Sequence, residues 1–320
     1  MCRFDIRRYD SSMADEWNAF VAKSKNGTFL FDRRYMDYHA DRFADHSFMI
    51  YHKGRLFALL PATIRTESGI AMLSSHAGLS YGGLVTNRQA TAENVCLLFE
   101  ELNDRLREEG IRRVIYRPTP HIYHRLPSEE DLYALLLTCK ATIISRDVSS
   151  VIRHDQRIPF TESRRSGIRK AFRNGITANE SRDFPAFWNV LTDNLLHTYG
   201  AKPVHTLDEI QMLADHFPDN IRLFTACHEG HVVGGTVVYQ SEQVARIQYI
   251  SASPEGKSMG ALDLLFDHLV NTVYATMPYI DFGTSTRTDN AQLNKQLIFQ
   301  KEGFGGRAVC YDTYEWEIGV

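Results

Sequence analysis

The chain has 320 residues, more than one hydrophobic core ordinarily serves, so its length predicts two domains of about 150 residues each. Hydrophobic residues at 43% and charged residues at 23% exclude the disordered, collagenous and low-complexity classes. With 36 Lys+Arg against 39 Asp+Glu the net charge is −3, which excludes a general polyanion binder and confines any anion site to a local patch.

Ser11 and Ser12 are placed to cap a first helix, in which Trp17, Phe20 and Val21 share a face at spacings of three and four. A second helix is expected over about residues 32–43. Residues 48–64, FMIYHKGRLFALLPATI, read as two strands around a Lys53-Gly54 turn, and AMLSSH at 71–76 reads as a third. SYGGLVTN at 80–87 leads to a helix over about 91–109 with the stripe Val95, Leu98, Phe99, Leu102 and Leu106. The strand VIYRPTP at 114–120 closes this series.

The same order recurs. Asp183 caps a helix carrying Phe184, Phe187, Trp188, Leu191 and Leu195 on one face, and the capping box Thr206-x-x-Glu209 opens the next, which ends before Pro218. IRLFTACHEGHVVGGTVVYQ at 221–240 reads as two strands around Glu229-Gly230, and ARIQYISA at 245–252 as a third. A Gly-containing loop then enters a helix with Leu262, Leu265, Phe266, Leu269, Val270 and Val273 on its apolar face, followed by the strand YIDFG at 279–283. Matching landmarks Trp17/Trp188, Gly54/Gly230 and Gly83/Gly260 lie 171, 176 and 177 residues apart, an internal repeat; two unrelated α/β domains are the alternative. The expected division is 1–155 and 156–320.

Five scattered cysteines, Cys2, Cys96, Cys139, Cys227 and Cys310, with no C-x-x-C pair, suit a reducing interior. The charged N-terminus holds no signal peptide, and the apolar runs at 56–62 and 132–139 are far short of about 20 residues, so a cytoplasmic protein without a membrane span is expected. His121-x-x-His124 and His228-x-x-His231 lack a third ligand nearby, so no metal is expected. There is no G-x-S-x-G elbow, Walker loop or G-x-G-x-x-G.

The element order, read twice, resembles the GNAT acyltransferase fold in tandem. In the second half RRSGIRKAFRNGITANES (164–181), A-x-H-E-G-x-VVGGTVVY (226–239), YISASPEGKSMGALDLL (249–265) and YIDFGTSTRTDNAQLNKQLIFQKEGFG (279–305) are similar to the Fem-type aminoacyltransferases and the wider FemAB-like acetyltransferase domains. The resemblance implies an α/β (α+β) protein of two GNAT-like domains, each a mixed, mostly antiparallel sheet flanked by helices. It implies an acyl or aminoacyl transferase with no resident cofactor. Its co-substrate would be an acyl-CoA or a charged tRNA, and its acceptor an amine on a small molecule or glycan precursor, in cell-wall or surface-glycan metabolism. A non-catalytic module of the same fold, binding a glycan precursor or a protein, is the alternative.

In such proteins the loop after the central strand holds the donor's pyrophosphate. Here that stretch is 253–261, where Gly256, Lys257, Ser258, Met259, Gly260 and Ala261 combine glycines, a cation and the unpaired N–H groups of a helix N-terminus. It departs from the Q/R-x-x-G-x-G/A pattern, and a ligand-free turn into a helix is the alternative. The first domain has Ser80-Tyr81-Gly82-Gly83-Leu84 at this place, without a cation, and the resemblance assigns it to an acceptor groove with His76 and Tyr81; satisfied polar groups at a sheet end are the other reading.

Arg164, Arg165, Arg169, Lys170 and Arg173 form a basic helix over about 162–174, with Arg165, Arg169 and Arg173 on one face. Arg165 and Arg169 match the family's R-x-x-I-R-K-A pattern. The face meets a nucleotide-linked precursor, tRNA phosphates or acidic side chains, or is simply solvated. Asp281 is a candidate proton acceptor or a turn cap, Tyr249 and Tyr239 candidate proton donors to the leaving group, and Ser285 a substrate hydrogen-bonder. Lys301, before a G-F-G turn as in the family, binds phosphate or a developing oxyanion, or complements the helix dipole with Gly303 as cap.

Overall fold

The computed structural model describes residues 3–287 and 292–319. The chain divides into two compact units, Met1–Asp147 together with Cys310–Val320, and Val148–Val309. In chain order the first series is β1 (Phe4–Arg8), α1 (Ala14–Lys23), α2 (Arg33–Met36), β2 (Phe48–His52), β3 (Arg55–Leu60), β4 (Thr63–Glu67), β5 (Ile70–Ser74), β6 (Val85–Thr86), α3 (Ala92–Glu108), β7 (Arg113–Tyr116), α4 (Glu130–Leu137) and β8 (Thr142–Arg153). The second is α5 (Glu162–Arg173), β9 (Thr177–Ser181), α6 (Phe184–Tyr199), α7 (Leu207–His216), β10 (Ile221–His228), β11 (His231–Gln240), β12 (Val244–Ala252), α8 (Pro254–Met259), α9 (Ala261–His268), β13 (Tyr279–Thr284), α10 (Lys295–Gly303) and β14 (Arg307–Glu317).

The capping chemistry behaves largely as the sequence predicts. Thr91 and Asp183 accept from the third residue beyond them, and Thr206 with Glu209 forms the full reciprocal box. The first helix differs: its entry is capped by Asp10, which accepts from the Ser12 amide at 3.0 Å, and Ser11–Met13 form a 3-10 turn ahead of α1. The second helix is shorter than 32–43, because Arg33 is drawn inward onto Asp45 at 3.0 Å and the chain turns at Asp37–His39 to bury His39. Within the run 48–64, Pro61 cannot donate to a ladder, so β3 stops at Leu60 and β4 starts anew at Thr63 to pair with β5.

In the first unit β1-β2-β3-β6 form one sheet, while β4, β5, β7 and β14 are successive neighbours in another. The α3 stripe Val95, Leu98, Phe99, Leu102 and Leu106 is wholly buried, in one core with Phe48, Tyr116 and Trp316. In the second unit β9 to β13 lie in the order β9-β10-β11-β12-β13, antiparallel except for the last pair, and β8 borders β13. Helix α9 covers one face of this sheet with Leu264, Leu265 and Phe266. Helix α6 covers the other, where Phe187 fits against Gly235 so closely that a Cβ there would come within 2.6 Å of its ring.

The repeat expected from the offsets is present in outline as an element order, strand, two helices, a run of strands opened by a hairpin, helix, strand, helix, strand, with α5 between the copies; the first copy has five strands in that run, β2 to β6, where the second has three, and the second has α8 and α9 where the first has α3. The final strand of each copy joins the other unit. β8 pairs with β13 (Ile280↔Ile152, Asp281↔Val151), and β14 pairs with β7 (Tyr314↔Tyr116, Trp316↔Val114). A linear division at 155/156 therefore differs from the units at both strands, because a strand is placed by its hydrogen-bonded neighbour and not by its position along the chain.

Candidate functional site

β12 and β13 pair in parallel at Val244↔Tyr279, Ala245↔Ile280 and Arg246↔Asp281, and no further. Beyond that row the register of β12 on β11 jumps from Ile247 to Tyr249, leaving Gln248 as the extra residue of a bulge. The strands part there. Ile247 and Ile250 on one side and Phe282 on the other, with Ala261, Leu262 and Phe266 of α9 and Leu297 of α10, line a cavity of about 260 Å³ in the second unit. Phe266, Phe282 and Phe304 pack on one another at 5.1–5.8 Å between ring centres and make its wall. Its polar lining is Arg164, Lys257, Asp263, Gln300 and Lys301.

Lys301, at 8% exposure, donates to the carbonyls of Gly283 at 2.7 Å and Thr284 at 2.8 Å, pinning the end of β13 beside the opening. Burial pulls its ammonium down to about 8, against the attraction of Asp281. Arg164 reaches from α5 to Asp263 of α9 at 2.6 Å. Burial pushes the Asp263 carboxyl upward and Arg164 opposes this.

The stretch 253–261 is not an open loop. Pro254–Met259 already form α8, whose entry is capped by Ser253 accepting from the Gly256 amide at 3.0 Å. Gly260 then takes φ +81° and turns the chain into α9. The Asp263 and Leu264 amides bond to the Gly260 carbonyl at 3.0 and 3.2 Å, and the two residues before them at the start of this helix, Ala261 and Leu262, line the cavity. The two glycines answer to packing: a Cβ on Gly256 would stand 2.1 Å from the Val233 carbonyl oxygen, and one on Gly260 would stand 2.5 Å from that of Gly167. Gly256→Ala is accordingly expected to destabilise the fold by roughly 1–3 kcal/mol, read as a lower denaturant midpoint. An unchanged midpoint would contradict this packing account. Lys257 lies at the cavity with its ammonium on Asn194, Ser258 donates to the Glu255 carbonyl at 2.8 Å, and Met259 packs on the core.

Asp281 is fully buried and is not part of the cavity lining. It accepts from Ser149, from the Gly283 amide at 2.8 Å and from Arg246 at 3.1 Å. Tyr239 lies directly across from Arg246 in the ladder and is buried. Tyr249 packs on Trp188 at 5.1 Å on the α6 side, its hydroxyl accepting from the His205 amide at 3.2 Å. None of these three lines the cavity. Ser285 is buried too, its amide on the Val148 carbonyl at 2.7 Å.

Arg165 and Arg169 are exposed and share Glu162 of their own helix. His76 and Tyr81 lie in the first unit, both buried. Burial pushes the His76 imidazole down to about 3, its ring lies 5.3 Å from that of His39, and Tyr81 donates to Thr28 at 3.2 Å. In that unit the groove flanked by Phe99, Tyr116 and Trp316 leaves no room for a water-sized sphere.

Arg246 and Asp263 went unselected by sequence reasoning, which named Arg164 within the basic helix but assigned only Arg165 and Arg169 to substrate. The signal for Arg246 was a lone Arg in an apolar central strand; Asp263 carried none, since its closeness to Gly167, where a Cβ would fall 1.8 Å from the Asp263 carboxylate, is a tertiary contact. Among the described residues no group of three or more His, Cys, Asp or Glu is placed to hold a metal, and no helix is long and apolar enough to cross a membrane.

Residues 162–290 match the family described as an acetyltransferase (GNAT) domain. No curated protein matches the chain. Among solved structures, FemX is 11% identical over 98% of this chain and 97% of its own, with a TM-score of 0.69. L-PGS from Bacillus licheniformis is 14% identical over 98% of this chain and 94% of its own, TM-score 0.59. A putative lysylphosphatidylglycerol synthetase C-terminal domain from Agrobacterium fabrum is 11% identical over 96% and 92%, TM-score 0.59. At such identities the likeness is one of fold, and that fold is the tandem, mixed α/β, mostly antiparallel arrangement expected from the sequence.

Proposed function

We propose that this chain, a Fem-like protein of GNAT fold whose residues 162–290 carry the acetyltransferase domain, moves an acyl or aminoacyl group from a donor seated in the second unit's cavity to an amine. The observation that carries this reading is the parting of β12 and β13 after Arg246↔Asp281, which opens an apolar slot in the sheet with Lys301 at its edge. Donors of two kinds, an acyl-CoA or a charged tRNA, present phosphate beside the reactive carbonyl. The Ala261 and Leu262 amides and Lys257 would take that phosphate, with Gly256, Ser258, Met259 and Gly260 shaping the turn that presents them. The acceptor is a small-molecule or glycan-precursor amine in the cytoplasm, and tRNA is a partner only as donor.

In mechanism the amine attacks the thioester or ester directly, since among the described residues no cysteine lines the cavity. Positioning and electrostatics supply most of the rate. Lys301 has two of its three N–H donors committed to carbonyls and offers the third to the oxyanion formed on attack. Asp281, Tyr239 and Tyr249 stand outside the lining, so the amine's proton passes to water, and Asp281 serves by holding Arg246 at the vertex where the strands part.

The test is calorimetric titration with acetyl-CoA and longer acyl-CoAs. Gly260→Trp is unsuitable as a block, given the Gly167 carbonyl at 2.5 Å from a mere Cβ. Ile250→Trp, at a half-exposed position of the lining, is expected to weaken binding at least about tenfold with an unchanged melting temperature. Failure of acyl-CoAs and of a charged tRNA acceptor stem alike to bind the wild-type chain would overturn the reading in favour of a non-catalytic binding module.

A further inference from the structure

We infer that the outer face of α4, in the first unit, seats a second copy of this chain, the two α4 helices lying antiparallel about a two-fold axis. The inner face of α4 is already in use: Ala134 and Leu135 are buried in the core, and Asp131 accepts from the buried Tyr116 hydroxyl at 2.6 Å. The outer face is apolar as well. Tyr133, Leu136 and Leu137, at i, i+3 and i+4, are 57%, 66% and 46% exposed, with Leu132 half-buried beside them. A helix that is apolar all round is one that is covered all round, and an apolar patch of this kind on a folded chain marks a contact surface. The strand that follows enlarges it. The Ala141 amide bonds to the Leu135 carbonyl at 2.9 Å, so β8 sets out against the end of the helix, and it opens with Ile143 and Ile144, each about half exposed.

The charges at the two ends of the stripe select the occupant. Glu129 is exposed one turn before Tyr133, and Lys140 is exposed just past the last turn of α4. Setting Tyr133 of one copy across from Leu136 of the other also sets Leu132 across from Leu137 and brings Glu129 beside Lys140, because the three pairs share one midpoint between Ala134 and Leu135. An isologous contact repeats each pair on the far side of the axis, so both ends of the stripe are matched in charge at once. An anionic lipid surface suits the Lys140 end and is repelled at the Glu129 end. The five apolar residues of the patch together expose the area of more than two whole side chains in each copy. With a polar rim that is a small interface, and a reversible dimer with a Kd on the order of 10 µM is expected.

Sedimentation velocity of the full chain at low salt, from about 1 to 100 µM, tests this. The weight-average mass is expected to climb with concentration from the 36.6 kDa monomer toward twice that value. Leu136→Glu, at a largely exposed position, should weaken the dimer at least about tenfold while leaving the urea midpoint of unfolding unchanged. Glu129→Lys and Lys140→Glu should each weaken it about fivefold by opposing like charges, and the double variant should return to within about twofold of wild type. Loss of packing gives no such rescue. A monomer throughout the concentration range overturns the inference, also where the chain then binds vesicles containing phosphatidylglycerol. A dimer indifferent to Leu136→Glu, or one that the second charge change weakens further, is held by another surface or register and overturns it too.

Discussion

Lys301→Met is expected to lower kcat by roughly two to three orders of magnitude, the effect of removing one preorganised donor to a developing oxyanion. With the wild-type chain, kcat/KM should fall as pH rises through about 8, because the ammonium of the donor-free protein loses its proton there. In kcat the fall should lie at higher pH, since a bound anionic donor favours the charged lysine. Both limbs should vanish in the Met variant. Stability carries the opposite sign. Folding lowers this group from its ordinary 10.5 to about 8, so between those values the unfolded chain holds more protons than the folded one, and stability rises with pH by up to about 3 kcal/mol. Denaturant unfolding at pH 7.5 and 10, on wild-type and Lys301→Met, isolates that increment. A variant retaining the pH 8 limb and near-normal turnover would remove Lys301 from the chemistry.

Ending the chain at Val309 is expected to unfold the first unit, although the deleted residues follow the second in sequence. β14 pairs with β7, Trp316 and Ile318 are each 4% exposed in the core, and the Trp316 indole donates to Asn103 at 3.0 Å. The milder Trp316→Ala should cost roughly 3–5 kcal/mol, enough to exhaust much of the stability of an ordinary domain. For the same reason a fragment of residues 1–155 should not fold, because it lacks the strand that borders β7. Circular dichroism and urea unfolding of the truncated chain decide the matter. A cooperative transition with wild-type amplitude and midpoint would show β14 to be dispensable.

The parts of the site that could be read from sequence were those with a local cause. Lys301 stood out by its place before a Gly-Phe-Gly turn, and Lys257 and Ala261 by a strand-to-helix junction; both ends of that reading lie at the cavity. Gly256 and Gly260 were legible as special positions, but the reason for them was not. The oxygens they must avoid belong to Val233 and Gly167, on other elements. Asp281 was visible as a charge in an apolar strand. Its burial against Arg246 and Ser149 depends on strands 35 and 132 residues away.

Taken by itself, the sequence determined the order of helices and strands, their caps, the apolar stripes, the doubling of the pattern and the likeness to tandem GNAT proteins. Hydrogen bonding within a turn and side-chain period along a strand or helix act over a few residues, so they are written in neighbouring letters. Tertiary structure decided where β12 and β13 part, which charges line the gap, that Asp281 is engaged by Arg246 and Ser149 and not part of the lining, and that β8 and β14 complete sheets begun elsewhere in the chain. Those outcomes rest on pairings between distant residues, chosen by which apolar faces and ladder edges can be buried together.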